Sequence, residues 1–327
     1  MIRLLILLIG FWFSTAALAE PVYVVLFMHN EDGVLADLDQ PGTRASYMRH
    51  RRELVEFADT LAHHHVPFCW QSDFKFLQAI LKYDTPAVMD STDGKNLARY
   101  LAENCGITVE AHSHENYGYN YADVAHLIDS LGVTPTDVVG GHVWDPYLAN
   151  YADWERFRTP LQGSMYPHAQ WDGRLLIGSA TPGHSSDPVP SGVWRPLDKY
   201  NFWTDDPQGN IICIGQYKND LEGVEELVQI KQSGAVSDNE ILTCAVFSPQ
   251  SANPDFTQDY VQTTLTPLLN LQDQGKIKLV TFTDVVDIWD SKYNARAHIY
   301  NPPPDSVPQE FSVRIPSDAG EIKVSMR

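Results

Sequence analysis

The chain has 327 residues and a formal net charge of −19, because 42 acidic side chains outnumber 23 basic ones. Nucleic acids bind basic surfaces, so this balance argues against DNA or RNA as a partner. No G-x-G-x-x-G motif follows a candidate strand, and a nucleotide cofactor is therefore not predicted. A neutral or cationic substrate is the easiest to accommodate.

The first 19 residues follow the plan of a secretory signal peptide. Arg3 precedes the apolar run LLILLIGFWF, and Ala17-Leu18-Ala19 forms an A-x-A cleavage site. The apolar run is shorter than the ~20 residues that span a bilayer. We therefore expect cleavage after Ala19, a periplasmic or secreted location, and no membrane span in the mature chain.

Eight apolar runs alternate with stretches of helical spacing. These candidate strands are Val22–Met28, Val66–Gln71, Ile107–His114, Asp137–Val143, Arg174–Ser179, Ile211–Gly215, Ile241–Phe247 and Ile277–Phe282. The alternation predicts an α/β fold, namely a (β/α) barrel of seven or eight mostly parallel strands, regular or distorted. The alternative is an open doubly wound sheet. We assign residues 20–294 to this domain and residues 295–327 to a C-terminal tail or edge-strand extension.

The four cysteines are Cys69, Cys105, Cys213 and Cys244, and none forms a C-x-x-C pair. This spacing argues against a cysteine zinc site. Export would permit one disulfide between the first two and one between the last two. Buried free thiols are the alternative, and the sequence does not decide between them.

The strand that begins at Ile107 carries the most unusual polar pattern in the chain. Glu110, His112 and His114 follow its apolar start at every second position, so a strand would point all three to one face. Imidazole and carboxylate groups together suit zinc or another divalent transition metal. The alternative is a solvated strand end in which the histidines make ordinary hydrogen bonds.

Other polar clusters also follow candidate strands, at the end where barrels carry their active sites. They are His29, Glu31 and Asp32; Asp73; His142 and Asp145; and, later, His184 and Trp194-Arg195. Because such strand ends meet at one mouth of a barrel, their convergence is more specific than any single motif.

The arrangement resembles a divergent form of the polysaccharide deacetylase (NodB-homology) superfamily, which shares its β/α barrel with related glycoside hydrolases. The sequence HNEDG, residues 29–33, stands where that family has a T-F-D-D-G-like motif, which implies Glu31 as general base and Asp32 as metal ligand. His112-Ser113 matches the first half of the family's H-[ST]-x-x-H motif, but Asn116 replaces the final histidine. We expect His114 to take its place.

The resemblance covers residues 22–289 and implies an exported, metal-dependent hydrolase that removes acyl groups, above all N-acetyl groups, from a carbohydrate. The metal would be divalent, with zinc as the expected ion. Trp194-Arg195-Pro196 corresponds to an Arg-Pro segment of the family. From the residues and the resemblance together we assign metal binding to His29, Asp32, His112 and His114; catalysis to Glu31, His184 and Arg195; and substrate binding to Asp73, His142, Trp144 and Trp194. His184 or His142 would act as general acid, and Arg195 would orient Glu31 or stabilise developing negative charge.

Two other functions stay open from the sequence. A glycoside hydrolase would need two carboxyl groups about 5–5.5 Å apart for retention or about 6.5–9.5 Å apart for inversion. Glu31 with Asp73, Glu110 or Asp145 could supply them. A non-catalytic carbohydrate-binding protein would instead use aromatic side chains as a sugar-stacking surface. The candidates for that surface are Trp144, Tyr147, Trp154, Trp171, Trp194 and Trp203.

Overall fold

The computed structural model describes residues 20–31, 35, 37–115, 117–141, 153–177, 190–301, 313–315 and 322–324. The strands are β1 Val22–His29, β2 Cys69–Ser72, β3 Thr108–His112, β4 Val138–Gly140, β5 Leu161–Gln162, β6 Gln170–Trp171, β7 Leu175–Leu176, β8 Ser191–Trp194, β9 Ile212–Ile214, β10 Thr243–Pro249, β11 Ile277–Val280, β12 His298–Tyr300, β13 Val313–Ile315 and β14 Ile322–Val324. The α-helices are α1 Thr43–His63, α2 Phe74–Tyr83, α3 Pro86–Met89, α4 Leu97–Glu103, α5 Tyr121–Ser130, α6 Leu221–Gln232, α7 Phe256–Tyr260, α8 Thr266–Asp273 and α9 Phe282–Tyr293. Short 3₁₀ helices lie at Asp90–Thr92, Asp153–Arg158 and Tyr217–Asn219, and a π-helical turn lies at Val261–Leu265.

Ten of the described strands form one curled sheet. Nine stand in the order β10-β1-β2-β3-β4-β7-β9-β8-β12, and β11 pairs with β1 beside this line. The pairings that involve β8 and β12 are antiparallel, and the others in the sheet are parallel. The result is a parallel-rich, distorted half-barrel.

The eight predicted strands correspond to the eight parallel strands of this sheet. The predicted total of seven or eight strands is wrong, because β8 and β12 add two antiparallel ones. Both are short and β8 contains a glycine, so neither has a clear alternating apolar pattern. The doubly wound alternative does not fit, since β1 to β4 stand in chain order and show no switch point.

Two hydrophobic cores lie on opposite faces of the sheet. The even-numbered residues of β1, from Val22 to Met28, belong to a core that packs against helices such as α1, α2 and α5. The odd-numbered residues Tyr23, Val25 and Phe27 belong to a second core on the inner face of the curl. Side chains alternate along a strand, so His29 at the end of β1 also faces inward.

The ends of the curled sheet approach each other at Thr243 in β10. Its backbone N–H donates to Ser191 Oγ in β8 (2.8 Å), and its hydroxyl accepts from the backbone N–H of Gly192 (2.8 Å). The same hydroxyl donates to the carbonyl of Gly215, just beyond β9 (2.7 Å). These bonds join the parallel strand β10 to the antiparallel end of the sheet.

Two helices begin at the mouth of the curl, which we define as the edge where the parallel strands end. Helix α2 follows β2 directly, and Asp73 caps it by accepting from the N–H of Phe76. Helix α5 begins with a capping box between Asn120 and Asp123. Asp123 also accepts from the backbone N–H groups of residues 164–166, which docks the β5–β6 hairpin on the start of α5.

The structure shows the state of the cysteines and the length of the described helices. All four cysteines are buried free thiols. Within the described residues, no helix is long and apolar enough to cross a bilayer. The predicted signal peptide, residues 1–19, lies outside the described residues.

Candidate metal centre

Three histidines and one glutamate come together at the mouth. The ring centroids of His29 and His112 are 4.3 Å apart, and those of His112 and His114 are 4.9 Å apart. Glu31 bridges two of the rings, because its Oε1 lies 3.3 Å from His29 Nε2 and its Oε2 lies 3.3 Å from His114 Nε2. His29, Glu31 and His112 each offer one donor atom, and these three atoms lie within 4.8 Å of one another.

Strand alternation explains how β3 contributes to this cluster. Val109 and Ala111 belong to the helix-packed core, so Glu110 and His112 point to the inner face. The predicted strand through His114 is too long, because β3 ends at His112. His114 therefore reaches the cluster from the loop, and its shared face with His112 does not come from strand geometry.

The end of β1 is fixed by Asn30, which is buried between β2 and β10. Its Oδ1 accepts from the backbone N–H of Asp73 (2.9 Å), and its Nδ2 donates to Ser72 Oγ and Gln250 Oε1 (3.1 Å each). The backbone N–H of Gln250 donates to the carbonyl of His29 (3.0 Å). This network positions the residues on both sides of Asn30 and leaves their side chains available.

The segment after β3 is held by two further contacts. The buried Tyr121 hydroxyl donates to the carbonyls of Ser113 (2.6 Å) and Gly140 (2.7 Å), which ties the ends of β3 and β4 together. Glu115 has a positive φ of 55°, and its carboxylate accepts from Arg156 Nη1 at 2.6 Å. These contacts fix the loop on both sides of the histidine that lies between them.

His112 is buried without hydrogen bonds. It is 1 % exposed, and neither ring nitrogen has a hydrogen-bond partner among the described residues. A buried polar atom without a partner costs roughly 1–3 kcal/mol, so this ring is prepared to bind a ligand. Burial lowers the pKa of His112 well below its ordinary value, and the nearby imidazoles of His29 and His114 lower it further. The ring is therefore neutral, which is the form that binds metals.

Glu31 carries the negative charge of the cluster. Partial burial raises the pKa of Glu31, but hydrogen bonds with His114 and His29 together lower it more, so the net pKa lies well below the ordinary value. A general base works best with a pKa near the working pH, so this carboxylate is a weak base and a ready anionic ligand. The low pKa favours a metal ligand over the general base that the resemblance implied, and both roles stay predictions.

The donor set fits a divalent transition metal. Two histidines and one glutamate are the protein ligands of several catalytic zinc sites. Ligands about 2.0–2.1 Å from a tetrahedral ion stand about 3.3 Å apart, and His29 Nε2 and Glu31 Oε1 are separated by 3.3 Å. A Cβ on Gly141 would lie only 2.4 Å from His112 Nε2, so the backbone of β4's end requires a glycine beside this ring.

Glu110 lies beneath the cluster and does not take part in it. It is fully buried, and it accepts hydrogen bonds from Gln71 Nε2 (2.9 Å) and Thr108 Oγ1 (3.1 Å). Burial raises the pKa of Glu110 to about 7, although these hydrogen bonds act in the opposite direction. Glu110, which the sequence grouped with His112 and His114, thus lies below the cluster and supports it.

Several predicted site residues cannot be located. Asp32, His142, Trp144 and His184 lie outside the described residues, and their roles stay predictions. Asp73 is described and lies beside Asn30, where its carboxylate caps α2. It shapes the mouth, and its contact with a substrate stays a prediction.

Arg195 is not near the cluster, so it cannot orient Glu31 as the sequence implied. Its guanidinium pairs with Asp205 (3.1 Å), donates to the carbonyl of Ala295 (2.9 Å), and lies 5.0 Å above the ring of Trp289. Trp289 belongs to the second half of α9. The guanidinium of Arg195 thus lies against the C-terminal end of α9.

The end of α9 lies at the opposite side of the sheet from the mouth. Its last residue, Tyr293, contacts Tyr23 near the start of β1, with ring centroids 6.3 Å apart. At about 3.3 Å per residue, Tyr23 is about 20 Å from His29. The prediction for Arg195 is wrong because β8 runs antiparallel to β9. The C-terminal end of β8, where Arg195 follows, therefore points away from the mouth.

Trp194 is a core residue and cannot stack on a substrate. It is 1 % exposed, and its Nε1 donates to the carbonyl of Phe202 (2.8 Å). Trp154 and Trp171 are buried as well. The predicted sugar-stacking surface of tryptophans is therefore wrong for these three members.

The fold has a counterpart among solved structures. A Parabacteroides distasonis protein described as a "putative glycoside hydrolase/deacetylase" matches with a TM-score of 0.52 and 11 % identity, over 84 % of this chain and 72 % of that one. At this identity the similarity is one of fold. No protein-family model and no curated protein matches the sequence.

Sequence reasoning missed the residues that hold the cluster in place. Asn30 stood inside the HNEDG motif, and Arg156 and Gln250 stood in segments without a recognisable motif. Phe247, whose ring centroid lies 4.3 Å from that of His29, was read only as part of a strand. A polar residue directly after a buried strand was the one signal available for Asn30 and Gln250.

Proposed function

We propose that the protein is an exported hydrolase that uses a divalent metal to remove acyl groups, above all N-acetyl groups, from a carbohydrate. The observation that carries this proposal is the grouping of His29, Glu31 and His112 within 4.8 Å at the mouth of the sheet. The description of the Parabacteroides distasonis protein supports a carbohydrate substrate. The signal-peptide pattern of residues 1–19 supports export.

His29, His112 and Glu31 would hold the metal, with zinc as the expected ion. A divalent metal polarises a carbonyl oxygen and lowers the pKa of water. The folded protein already holds two of these side chains in a form that suits metal binding. Burial keeps His112 neutral, and His29 is packed between the rings of His112 and Phe247, each 4.3 Å away.

His114 is the described side chain best placed to move a proton. Its Nε2 lies 3.3 Å from Glu31 Oε2, and its side chain is partly exposed at the mouth. Histidines are the commonest general bases because imidazole titrates near neutral pH. Because Nε2 faces the anionic Glu31 carboxylate, it carries the hydrogen of the neutral ring. A proton taken from water would therefore enter at Nδ1, which has no hydrogen-bond partner among the described residues, and the resulting imidazolium would be stabilised by Glu31. A general acid must also protonate the leaving nitrogen. That His142 or His184 supplies this proton stays a prediction.

The described carboxylates favour deacetylation over glycoside hydrolysis. A glycosidase needs two carboxyl groups that both reach the scissile bond. Of the three partners considered for Glu31, Asp145 lies outside the described residues. Of the two described ones, Asp73 is buried as the cap of α2, and Glu110 is buried beneath the cluster with Gln71. Neither is open to a sugar chain, whereas Glu31 has an exposed side chain at the mouth.

Product analysis with a defined metal content tests the proposal. The purified mature protein would be loaded with zinc and incubated with acetylated xylan and with N-acetylated chitin oligosaccharides. We expect acetate release that stops with a chelator and returns with zinc. New reducing ends without acetate would establish a glycoside hydrolase instead. Tight binding without either product would establish a non-catalytic carbohydrate-binding protein.

A further inference from the structure

Two histidines from separate segments of the chain meet on the surface of helix α5. His126 belongs to α5, and His168 belongs to the loop of the β5–β6 hairpin; the centroids of their rings are 5.0 Å apart. His126 is partly exposed and His168 is exposed. Among the described residues, no hydrogen bond or ion pair engages either ring, so the ring nitrogens are open to a ligand from solution.

The separation of the two rings matches that of two imidazoles on one metal ion. A zinc ion lies about 2.0–2.1 Å from an imidazole nitrogen, and the ring centre lies about 1.1 Å beyond that nitrogen. Two such rings at ligand angles of about 90–109° therefore have centres about 4.5–5.2 Å apart, and the observed separation is 5.0 Å. Because His168 is exposed, rotation about its side-chain torsions can direct a nitrogen toward an ion held by His126.

The hairpin is fixed against α5 without an ion. Asp123, one turn before His126, accepts hydrogen bonds from the backbone N–H groups of residues 164–166 at 2.8–3.1 Å. The two segments approach so closely that a Cβ on Gly163 would lie 2.6 Å from Asp123 Oδ1. The backbones that carry His126 and His168 are thus already in place, which lowers the entropic cost of binding an ion between them.

Tyr166 holds the hairpin loop from its other side. Its ring lies 4.6 Å from that of His126 and 6.3 Å from that of His168. It also lies 6.2 Å from the ring of Phe74 in α2. Tyr166 therefore packs between two helices and limits the positions that the loop can take. The carboxylate of Asp123 is occupied by backbone N–H groups, so the two imidazoles are the donors at this place.

We infer that His126 and His168 form a second metal site, which takes a late first-row divalent ion such as Cu²⁺ or Zn²⁺ and links the hairpin to α5. Imidazole suits both ions, and a nitrogen site of given geometry holds Cu²⁺ most tightly. The net charge of −19 favours the approach of cations. This site is independent of the mouth, where three donor atoms lie within 4.8 Å of one another. With two protein ligands it exchanges its ion more readily, so the ion is lost on dialysis and is measured with free metal present.

The second site would stabilise the part of the chain that supports the mouth. Helix α5 begins at Tyr121, whose hydroxyl joins the carbonyls of Ser113 and Gly140 at the ends of β3 and β4. An ion that bridges α5 and the hairpin binds the folded chain in preference to the unfolded one. It therefore raises the midpoint of thermal unfolding as its concentration increases.

The run His63–His65 is the competing surface site and provides a matched control. The rings of His63 and His64 are 5.3 Å apart at an angle of 82°, close to the 88° between the rings of His126 and His168. All three histidines of the run are exposed. They follow one another at the C-terminal end of α1, so an ion bound by them would not connect separate segments of the chain.

Titration of the full chain with Cu²⁺ tests the second site. It would be carried out on the parent and on His112→Ala, in which the mouth site is lost. In His112→Ala we expect one bound Cu²⁺ whose affinity falls at least about tenfold when His168→Ala or His126→Gln is added, because one of two ligands is removed. The EPR spectrum of this Cu²⁺ should show coupling to two imidazole nitrogens, and to one after either replacement. His168 is exposed, so His168→Ala should unfold at the same temperature as its parent without metal.

Thermal unfolding with added Zn²⁺ gives a second measurement. We expect Zn²⁺ to raise the unfolding midpoint of His112→Ala, and the rise should disappear when His168→Ala is added. The double replacement His63→Ala/His64→Ala should keep both the rise and the Cu²⁺ affinity. Loss of the ion in this control would place the surface metal at the end of α1 and overturn the second site.

Two further outcomes would overturn the second site. One is equal Cu²⁺ affinity and equal midpoint shifts with and without His168→Ala. The other is a parent that binds a single ion, with none bound by His112→Ala at any free metal concentration, which would leave the mouth site supported. Conversely, an ion in His112→Ala that depends on His126 and His168 supports the second site even if the parent releases no acetate.

Discussion

The imidazole rings of His29 and His112 lie 4.3 Å apart, although they belong to strands that are not neighbours in the sheet. Strand β2 stands between them, so the contact depends on the curl that turns the ends of β1 and β3 toward each other. His112 lacks a hydrogen-bond partner among the described residues, and a ligand shared with His29 and Glu31 would supply one.

Replacing His112 should remove the metal. We expect the parent to bind one divalent ion per chain and His112→Ala to bind none at equal concentrations, because a ligand donor is lost. Elemental analysis after dialysis measures this directly. His298→Ala is the matched control, since His298 is partly buried at the opposite end of the sheet, where its Nδ1 contacts the carbonyl of Ile241 (2.8 Å). Equal metal contents in the parent and in His112→Ala would contradict the site.

Replacing Glu31 distinguishes a ligand from a base. If Glu31 binds the metal, Glu31→Gln should weaken metal affinity by at least about tenfold, because the anionic donor becomes neutral. If Glu31 is the general base, the variant should keep its metal while kcat falls by about 10² to 10⁴. Metal titration together with kcat measured at saturating metal separates the two roles. We expect the first result, and full metal retention would restore the role that the sequence implied.

The sequence was most informative where local pattern and burial agree. All eight parallel strands were found because each is a run of apolar, often β-branched residues, and β1 is buried along nearly its whole length. The polar residues at the ends of β1 and β3 also stood out against these runs. His29, Glu31, His112 and His114 were therefore all selected as site residues.

The sequence was least informative where long-range pairing decides the position of a residue. Nothing local shows that β8 is antiparallel, and this one feature moves Arg195 to the far end of the sheet. Likewise, the exposure of tryptophans cannot be read from their type, and Trp194 is in the core. The assignment of Glu31 as ligand or base depends on distances of about 3 Å, which no sequence pattern supplies.

The pair formed by Glu115 and Arg156 should stabilise the loop that carries His114. Both side chains are mostly buried, and the two polar atoms are 2.6 Å apart. In a double-mutant cycle with Glu115→Gln and Arg156→Gln, we expect a coupling energy of about 1–3 kcal/mol from denaturant unfolding. The exposed pair Arg99–Glu103, at 2.7 Å, is the control and should give a clearly smaller coupling energy, because solvent screens it. Equal coupling energies in both pairs would show that burial does not strengthen the interaction between Glu115 and Arg156.

Export should produce a mature chain that begins at Glu20. The described structure is compatible with cleavage at this point, because β1 starts only at Val22 and Glu20 pairs with Lys292 of α9. N-terminal sequencing of protein from the periplasm or medium measures the start directly. An Ala19→Asp variant should accumulate as the longer precursor, since small residues are required at the cleavage site. Recovery of the intact Met1 form from the exported fraction would contradict the prediction.

Glu110 should make the protein less stable as the pH rises toward neutrality. Its pKa is about 7 in the folded state, because of burial, against an ordinary value of 4.5. Below about pH 4.5 the carboxyl is protonated in both states and costs nothing. Between 4.5 and 7 the unfolded chain releases the proton first, so the folded state loses stability as the pH increases.

The loss should amount to about 3 kcal/mol at pH 8, from a shift of about 2.5 pKa units at 1.36 kcal/mol each. Glu110→Gln keeps the shape and removes the ionisation. Its new amide can also donate to Gln71, whose Oε1 lacks a hydrogen-bond partner among the described residues. Denaturant unfolding should therefore show the variant to be more stable than the parent at pH 8 and nearly equal to it at pH 4.5.

A second variant, Thr108→Val, removes one hydrogen bond to the same carboxyl group. It should raise the pKa of Glu110 further and enlarge the pH dependence of the free energy of unfolding. A difference between parent and Glu110→Gln that does not change with pH would mean that the pKa of Glu110 is the same in the folded and unfolded states.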